Sequence, residues 1–194
     1  MKSLIVATKN PGKVAEIKNR IERLGYEVSS LLDPTIDVEI IEDAGSFEGN
    51  AVKKAVATAA ASGIPALADD SGLEVDALDG RPGIYSARYG GPGLDDRGRY
   101  EYLLNELKDV PDEKRTARFR AVLAYLAPGE APQTFAGVLE GKISLVPAGS
   151  EGFGYDPVFI PIGYNQTLAE LGPDIKNRIS HRALALDALV EWLS

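Results

Sequence analysis

The sequence predicts an α/β protein, and three observations carry that prediction. Residues 4–7 are an apolar run that leads into a stretch whose apolar positions Val14, Ile17, Ile21 and Leu24 recur at helical spacing. A second apolar run opens Pro65-Ala66-Leu67-Ala68-Asp69-Asp70-Ser71-Gly72-Leu73; bounded by proline and glycine, it reads as a buried strand after an alanine-rich helix. Residues 116–126 alternate, with Ala117, Phe119, Ala121, Leu123 and Tyr125 on one face, as a strand requires. A chain of 194 residues fits one domain, or one domain with a second lobe, and can bury a sizeable core.

Taken in order, residues 4–7 are the first strand. Asn10 is a good helix N-cap and Pro11 suits the first helical position, while Gly25 ends the helix. The turn Thr8-Lys9-Asn10-Pro11-Gly12-Lys13 gathers two lysines, a threonine and free helical N–H groups, which together favour phosphate. It is not a P-loop: Ala7 stands where that motif has its first glycine, and Val14 where it has Ser or Thr. An ordinary capped turn with solvated lysines is the plainer alternative. Residues 26–31 and 36–41 read as strands separated by a turn at Pro34. Glu42-Asp43-Ala44-Gly45 is an acidic turn, and Ser46 caps a helix running to about Ser62 that carries Lys53 and Lys54.

Beyond Pro65 the apolar run ends in two adjacent carboxylates, then a hydroxyl and a glycine that frees a turn. Ligands in α/β sheets sit at strand ends. Ionised neighbours repel each other, more so when buried, and a hard cation such as Mg²⁺ relieves that with oxygen ligands. Glu42, at the end of another element, is placed to share the cation. The competing reading is a polar turn in which Asp70 or Ser71 caps the next element, with Glu42 a solvated turn residue.

Residues 79–93 form a Gly/Pro loop with two tyrosines and two arginines, read either as a lid or as a solvated excursion. A helix over about 95–108 turns Leu103, Leu104 and Leu107 inward. After the alternating strand, the turn at Pro128-Gly129-Glu130 leads to a strand over about 133–139 and a third over 141–146, an antiparallel block that reads as a second lobe or a sheet extension. In the stretch 150–157, glycines flanking Phe153 allow close backbone approach and leave an aromatic face for stacking a base; an anchor under a turn is the alternative. Lys176, Arg178, His181 and Arg182 form a basic cluster at the start of a closing helix with the stripe Leu186, Leu189, Val190 and Leu193. Cations there oppose the helix dipole, which points to ligand contact; a structural histidine is the other reading of His181.

Composition narrows the classes. The absence of cysteine excludes disulfides, thiolate metal sites and a cysteine nucleophile. A net charge of −8 argues against general nucleic-acid or membrane binding, while leaving room for a small anion where basic residues gather locally. No apolar run approaches bilayer length, and residues 1–8 do not make a signal-peptide core, so a cytoplasmic location is expected.

Five motifs stand in one order and spacing: Thr8-Lys9-Asn10-Pro11-Gly12-Lys13, Ala68-Asp69-Asp70-Ser71-Gly72-Leu73, Pro82-Gly83-Ile84-Tyr85-Ser86-Ala87-Arg88-Tyr89, Gly152-Phe153-Gly154-Tyr155-Asp156-Pro157 and Ser180-His181-Arg182. Together they closely resemble the inosine/xanthosine triphosphate pyrophosphatase family, from Leu4 to the final helix. The resemblance implies a single domain over residues 1–194 with an elongated central mixed β-sheet flanked by helices, two lobes with a cleft between them, and a homodimer. It implies Mg²⁺-dependent hydrolysis of ITP, dITP and XTP to the monophosphate and pyrophosphate. Carried over by motif, Thr8, Asn10 and Lys13 would hold the triphosphate, with Lys9 beside them at the substrate. Asp70 would be general base and metal contact, with Asp69 and Glu42 in the same metal site, and Ser71 would touch substrate. Phe153, Gly154, Tyr155, Asp156, Lys176, His181 and Arg182 would form the base pocket. Arg182 can only donate, so it would pair with a 6-oxo group and leave adenine's 6-amino group unsatisfied. The chain departs from the family at Gly49, where a glutamate is frequent and where Glu48 stands one place earlier. Spacing from Glu42 to Phe47 is one residue short of the pattern, which leaves Asp43 a rival to Glu42.

Overall fold

The computed structural model describes residues 2–36 and 38–194. Among them, β1 (Lys2–Val6), β2 (Tyr26–Ser30), β3 (Ala66–Val75), β4 (Thr116–Leu126), β5 (Gln133–Ile143) and β6 (Phe159–Pro161) form one sheet in the order β2-β1-β3-β4-β5-β6. β1 runs parallel to β2 and β3, and β5 antiparallel to β6, so the sheet is mixed. The helices are α1 (Pro11–Ile21), α2 (Phe47–Ser62), α3 (Asp96–Glu106), α4 (Leu168–Ile179) and α5 (His181–Leu193). This is the expected α/β class with a mixed sheet and flanking helices.

The chain divides into two compact units, each with its own core. The first is Met1–Asp70, Ala121–Gly137 and Arg182–Ser194. Its core packs Leu4 and Val6 of β1, Ile17 and Ile21 of α1, Leu123 of β4, and Leu186 and Leu189 of α5. The second is Ser71–Arg120 and Val138–His181. There Leu73 and Val75 of β3 pack with Leu103 of α3, Phe119 of β4, Ile143 of β5 and Phe159 of β6. Among the described residues no helix is long and apolar enough to cross a membrane.

Local chemistry sets the helix starts. Asn10 caps α1 by accepting from the Lys13 N–H, with Pro11 at the first position; Ser46 caps α2 and Asp95 caps α3 in the same way. Gly63, at φ 68°, closes α2 in the left-handed conformation that glycine takes most easily.

Several expectations are corrected. β3 does not turn at Gly72; it continues from Ala66 to Val75, so Asp69 and Asp70 lie inside a strand rather than at its end. Residue 37 lies outside the described residues, and 36 and 38–41 form no strand; Ile41 is exposed, and no neighbouring strand takes up this β-branched run. The second and third strands expected after the Pro128 turn are largely one, β5, which runs through Gly141 to Ile143. Gly141 is there for closeness: a Cβ would meet the Ile160 carbonyl oxygen at 2.3 Å. Residues 83–88 are latched rather than loose, because Ser86 Oγ accepts from the Leu73 N–H at 2.9 Å and donates to the Gly83 carbonyl at 2.6 Å. The basic cluster is split by a break at Ser180, so Lys176 and Arg178 sit in the last turn of α4, where the dipole favours cations.

Leu24 falls in a 3₁₀ turn after α1 and is 36% exposed, whereas Ile17 is fully buried. Ile17→Ala is therefore expected to lower unfolding free energy by about 2–5 kcal/mol. Leu24→Ala should cost no more than about 1 kcal/mol. Urea midpoints at unchanged slope measure both.

Candidate active site

In the first unit, strand geometry separates the two aspartates. Neighbouring side chains on a strand point to opposite faces, so Asp69 and Asp70 meet different partners. Asp69 faces α1 and the start of α5. The Asn10 cap places Lys13 at the third position of α1, and its ammonium pairs with Asp69. Arg182 donates from Nε to Asp69 Oδ2 at 2.8 Å and from Nη1 to Glu16, which lies one helical turn beyond Lys13. Two carboxylates and two cations thus interlock.

These contacts set the protonation states. Burial opposes ionisation of Asp69, but Arg182 and Lys13 together hold its carboxyl far below the usual range. Burial lowers Lys13 against the pull of Asp69, and repulsion from Arg182 and Lys54 adds to the lowering. Arg182 is raised by Asp69 and Glu16, which outweigh its burial.

On the other face, Asp70 meets α2. Asn50 Nδ2 donates to Asp70 Oδ2 at 3.2 Å, and Lys54 Nζ donates to Oδ1 at 2.8 Å. Asn50 and Lys54 are four residues apart, so they share one helix face. Lys54 also donates to Glu42 Oε1 at 2.9 Å, and Asn50 Oδ1 accepts from the Ala44 N–H at 3.0 Å. A backbone N–H can only donate, so the Asn50 amide must turn its NH₂ towards Asp70. Asp43 pairs with Lys53 on the surface, which leaves Glu42 as the upstream carboxylate beside Asp70's lysine. Burial pushes Asp70 up from its ordinary value, with Lys54 and Asn50 opposing.

The expected trio of Glu42, Asp69 and Asp70 is therefore not assembled: Asp69 lies with Lys13 and Arg182, because β3 continues where a turn was expected. Among the described residues no group of three or more His, Cys, Asp or Glu is placed to hold a metal. The remaining pair does fit Mg²⁺. Glu42 and Asp70 already converge on one cation, the Lys54 ammonium, and Mg²⁺ commonly takes one or two carboxylates plus substrate phosphates.

At the turn before α1, Thr8 Oγ1 accepts from the Asn10 N–H at 3.2 Å, and Lys9 is exposed beside it. Thr8, Lys9, Asn10 and Lys13 thus share one short turn.

The second unit holds the remaining candidates. Ser71 continues β3, partly buried. Asp156 Oδ2 accepts from the Phe153 N–H at 2.9 Å and from Lys176 Nζ at 2.6 Å, and that ammonium stands 4.1 Å from the Phe153 ring centre. Gly154 donates its N–H to Asp96 Oδ2 at 2.8 Å, and the Tyr155 hydroxyl donates to the Ser86 carbonyl at 2.8 Å. His181 stacks on Phe119 with ring centres 4.7 Å apart. Glu16, Asn50, Lys54, Ser86 and Asp96 were not singled out from the sequence as site residues. Asn50 and Lys54 had a readable signal, since with Thr58 they are the polar residues on a buried face of α2 whose other members are Phe47, Ala51, Ala55 and Ala59.

The sequence model of the Ham1 family matches residues 4–192. A dITP/XTP pyrophosphatase of Bacillus subtilis (strain 168) is 51% identical over 193 residues, covering 100% of this chain and 98% of that protein. A HAM1 protein from Coxiella burnetii matches with TM-score 0.90 at 38% identity, over 100% of this chain and 98% of that one. The Ham1 protein of Staphylococcus aureus matches with TM-score 0.88 at 38% identity, over 99% and 98%.

Asp69→Asn leaves Lys13 and Arg182 with an uncompensated buried charge, so a loss of about 3–5 kcal/mol is expected by chemical denaturation. The native carboxyl lies below its unfolded value, so its contribution is complete above the unfolded pKa of about 3.9. The gap between wild type and Asp69→Asn should hold from pH 7 to about pH 4. It should close only as pH falls from there through the native pKa.

Proposed function

The chain belongs to the Ham1 family, and from that premise we propose that it hydrolyses non-standard purine nucleoside triphosphates (ITP, dITP and XTP) to the nucleoside monophosphate and pyrophosphate. The proposal includes Mg²⁺ as cofactor, a homodimer as the working form and the cytoplasm as its location. The observation that carries it is the environment of Asp70. Its two oxygens each take one fixed donor, from Lys54 and Asn50, and burial makes it a stronger base than an exposed aspartate.

In this reading Thr8, Lys9, Asn10 and Lys13 hold the triphosphate on the turn that opens α1, where cations and a helix N-terminus favour phosphate. An ionised carboxylate keeps lone pairs beyond those used by Lys54 and Asn50, and Asp70 uses one to orient a water. That water attacks the α-phosphorus in line; its oxygen bonds to phosphorus, the bond from the α-phosphorus to the bridging oxygen breaks, and pyrophosphate leaves. Asp70 takes the proton. Glu42 and Asp70 would hold Mg²⁺, which when bound neutralises phosphate charge and polarises the phosphoryl oxygens.

The base falls to Ser71, Phe153, Gly154, Tyr155, Asp156, Lys176 and His181, with Phe153 as stacking surface and Lys176 as a donor suited to a 6-oxo group. Arg182 reaches this role less directly than the motif implies, since Nε and Nη1 are given to Asp69 and Glu16.

A panel of nucleotides at equal concentration, with Mg²⁺ and after chelation, tests the reading. Pyrophosphate should appear from dITP, ITP and XTP ahead of ATP and GTP, and only with the metal. Orthophosphate as the first product, or a preference for pyrimidines, would replace it. Asp70→Asn should lower turnover by about 10²–10⁴-fold while Mg-nucleotide binding persists; near-normal turnover would remove Asp70 as the base.

A further inference from the structure

We propose that Asp96 is a positioning residue for nucleobase selectivity, fixing the loop of Phe153, Gly154, Tyr155 and Asp156 by gripping the Gly154 amide. The inference rests on the role given above to that loop and adds a residue, from a different element, on which its geometry depends.

Asp95 and Asp96 stand side by side at the start of α3, but they do different things. Asp95 is the cap: its Oδ1 accepts from the Gly98 N–H at 2.8 Å. That leaves Asp96, the first helical residue, unneeded for capping. Its Oδ2 instead accepts from the Gly154 N–H at 2.8 Å, 58 residues along the chain. Arg99 holds the other oxygen and donates from Nη1 to the Leu94 carbonyl at 2.6 Å, so the carboxylate has a set bearing. Burial opposes ionisation, yet the Gly154 amide and Arg99 hold the carboxyl below its ordinary value. At neutral pH the bond to Gly154 is charge-assisted, and so stronger than one between neutral groups.

The grip matters because of where it acts. Gly154 has φ 64°, a left-handed conformation that most residues avoid, and it links Phe153 to Tyr155. The Phe153 N–H is satisfied by Asp156, a bond inside the loop that travels with it. Tyr155 is tied through the end of its side chain to Ser86. Asp96 holds the main chain between them from outside the loop. A shifted Gly154 carries the Phe153 ring away from its set position under the Lys176 ammonium, which is held on α4. Displacements of about 1 Å at such a place can cost roughly 10²-fold in productive binding. Donors that can re-aim also lose the power to penalise a wrong base.

The test compares Asp96→Ala with Asp96→Asn, which keeps an oxygen acceptor at the same reach. For each, kcat and KM are measured with dITP and dATP, together with thermal midpoints. In Asp96→Ala, KM for dITP should rise about tenfold, kcat should change less than about threefold, and the dITP:dATP ratio of kcat/KM should fall about tenfold. Asp96→Asn should restore most of the ratio. Removing an acid from the first turn of α3 also lowers the midpoint slightly, but a helix effect alone does not move the ratio. A wild-type enzyme indifferent to the base would sink both the site's assignment and this inference. A selective wild type whose ratio survives Asp96→Ala, or an Asp96→Asn as unselective as Asp96→Ala, sinks the inference alone.

Discussion

The strand alternation at Asp69 and Asp70 is the constraint on which the rest of the first unit depends. Because β3 runs straight through the pair, one carboxylate is delivered to each face of the sheet. Asp69 receives Lys13 from the first helix and Arg182 from the last, so both ends of this unit's chain are fastened to one buried anion. Each of these charges would be costly to bury alone, and each is tolerated because the others are present. Asp70 receives less: one lysine, already shared with Glu42, and one neutral amide. Two adjacent residues of the same type are driven in opposite directions, Asp69 to a stronger acid and Asp70 to a stronger base. Divergence of this kind is how a fold assigns separate tasks to like groups.

That division is only half legible in the sequence. The adjacency of the carboxylates is plain there, and so is the repulsion that needs relief. Whether the chain bends at Gly72 is not, and that decides between one shared cation and two separate sets of partners. Helix starts are legible because capping is local: Asn10, Ser46 and Asp95 each act on an amide three residues ahead. The run 36–41 misleads for the opposite reason. β-branched residues fit a strand, but a strand also needs an edge to pair with, and no local pattern reports one. The basic cluster fails similarly, since a break at Ser180 changes Lys176 from a misplaced N-terminal cation into a favourable C-terminal one. Glu16, Lys54 and Asp96 can be placed on helices by spacing, yet their partners lie far along the chain.

The second unit shows the same economy of main chain held by side chains. Ser86 ties residues 83–88 to β3 just beyond Asp70, and Tyr155 ties the Phe153 loop to Ser86 through its carbonyl. The motif at residues 82–89 therefore reads as scaffold between a strand and a loop rather than as a flap. Its two tyrosines and Arg88 are the conspicuous residues, whereas the buried serine makes the connections.

Charge balance gives the reason a divalent cation belongs to the proposed chemistry. Around β3 and the turn before α1, the carboxylates of Glu16, Glu42, Asp69 and Asp70 stand against the cations of Lys9, Lys13, Lys54 and Arg182. Lys13, Lys54 and Arg182 are already matched to carboxylates, so the set offers little net positive charge to a polyanion. A triphosphate brought there without further compensation would meet Asp70 and Glu42 as repelling neighbours. An added divalent ion would change the sign of that encounter, because the same two carboxylates would then serve as its ligands. Lysines paired to carboxylates are no substitute, since any ammonium lent to phosphate is withdrawn from a buried anion. The acidic pair that argues against phosphate binding on its own would, with the proposed Mg²⁺, be the feature that makes it tenable.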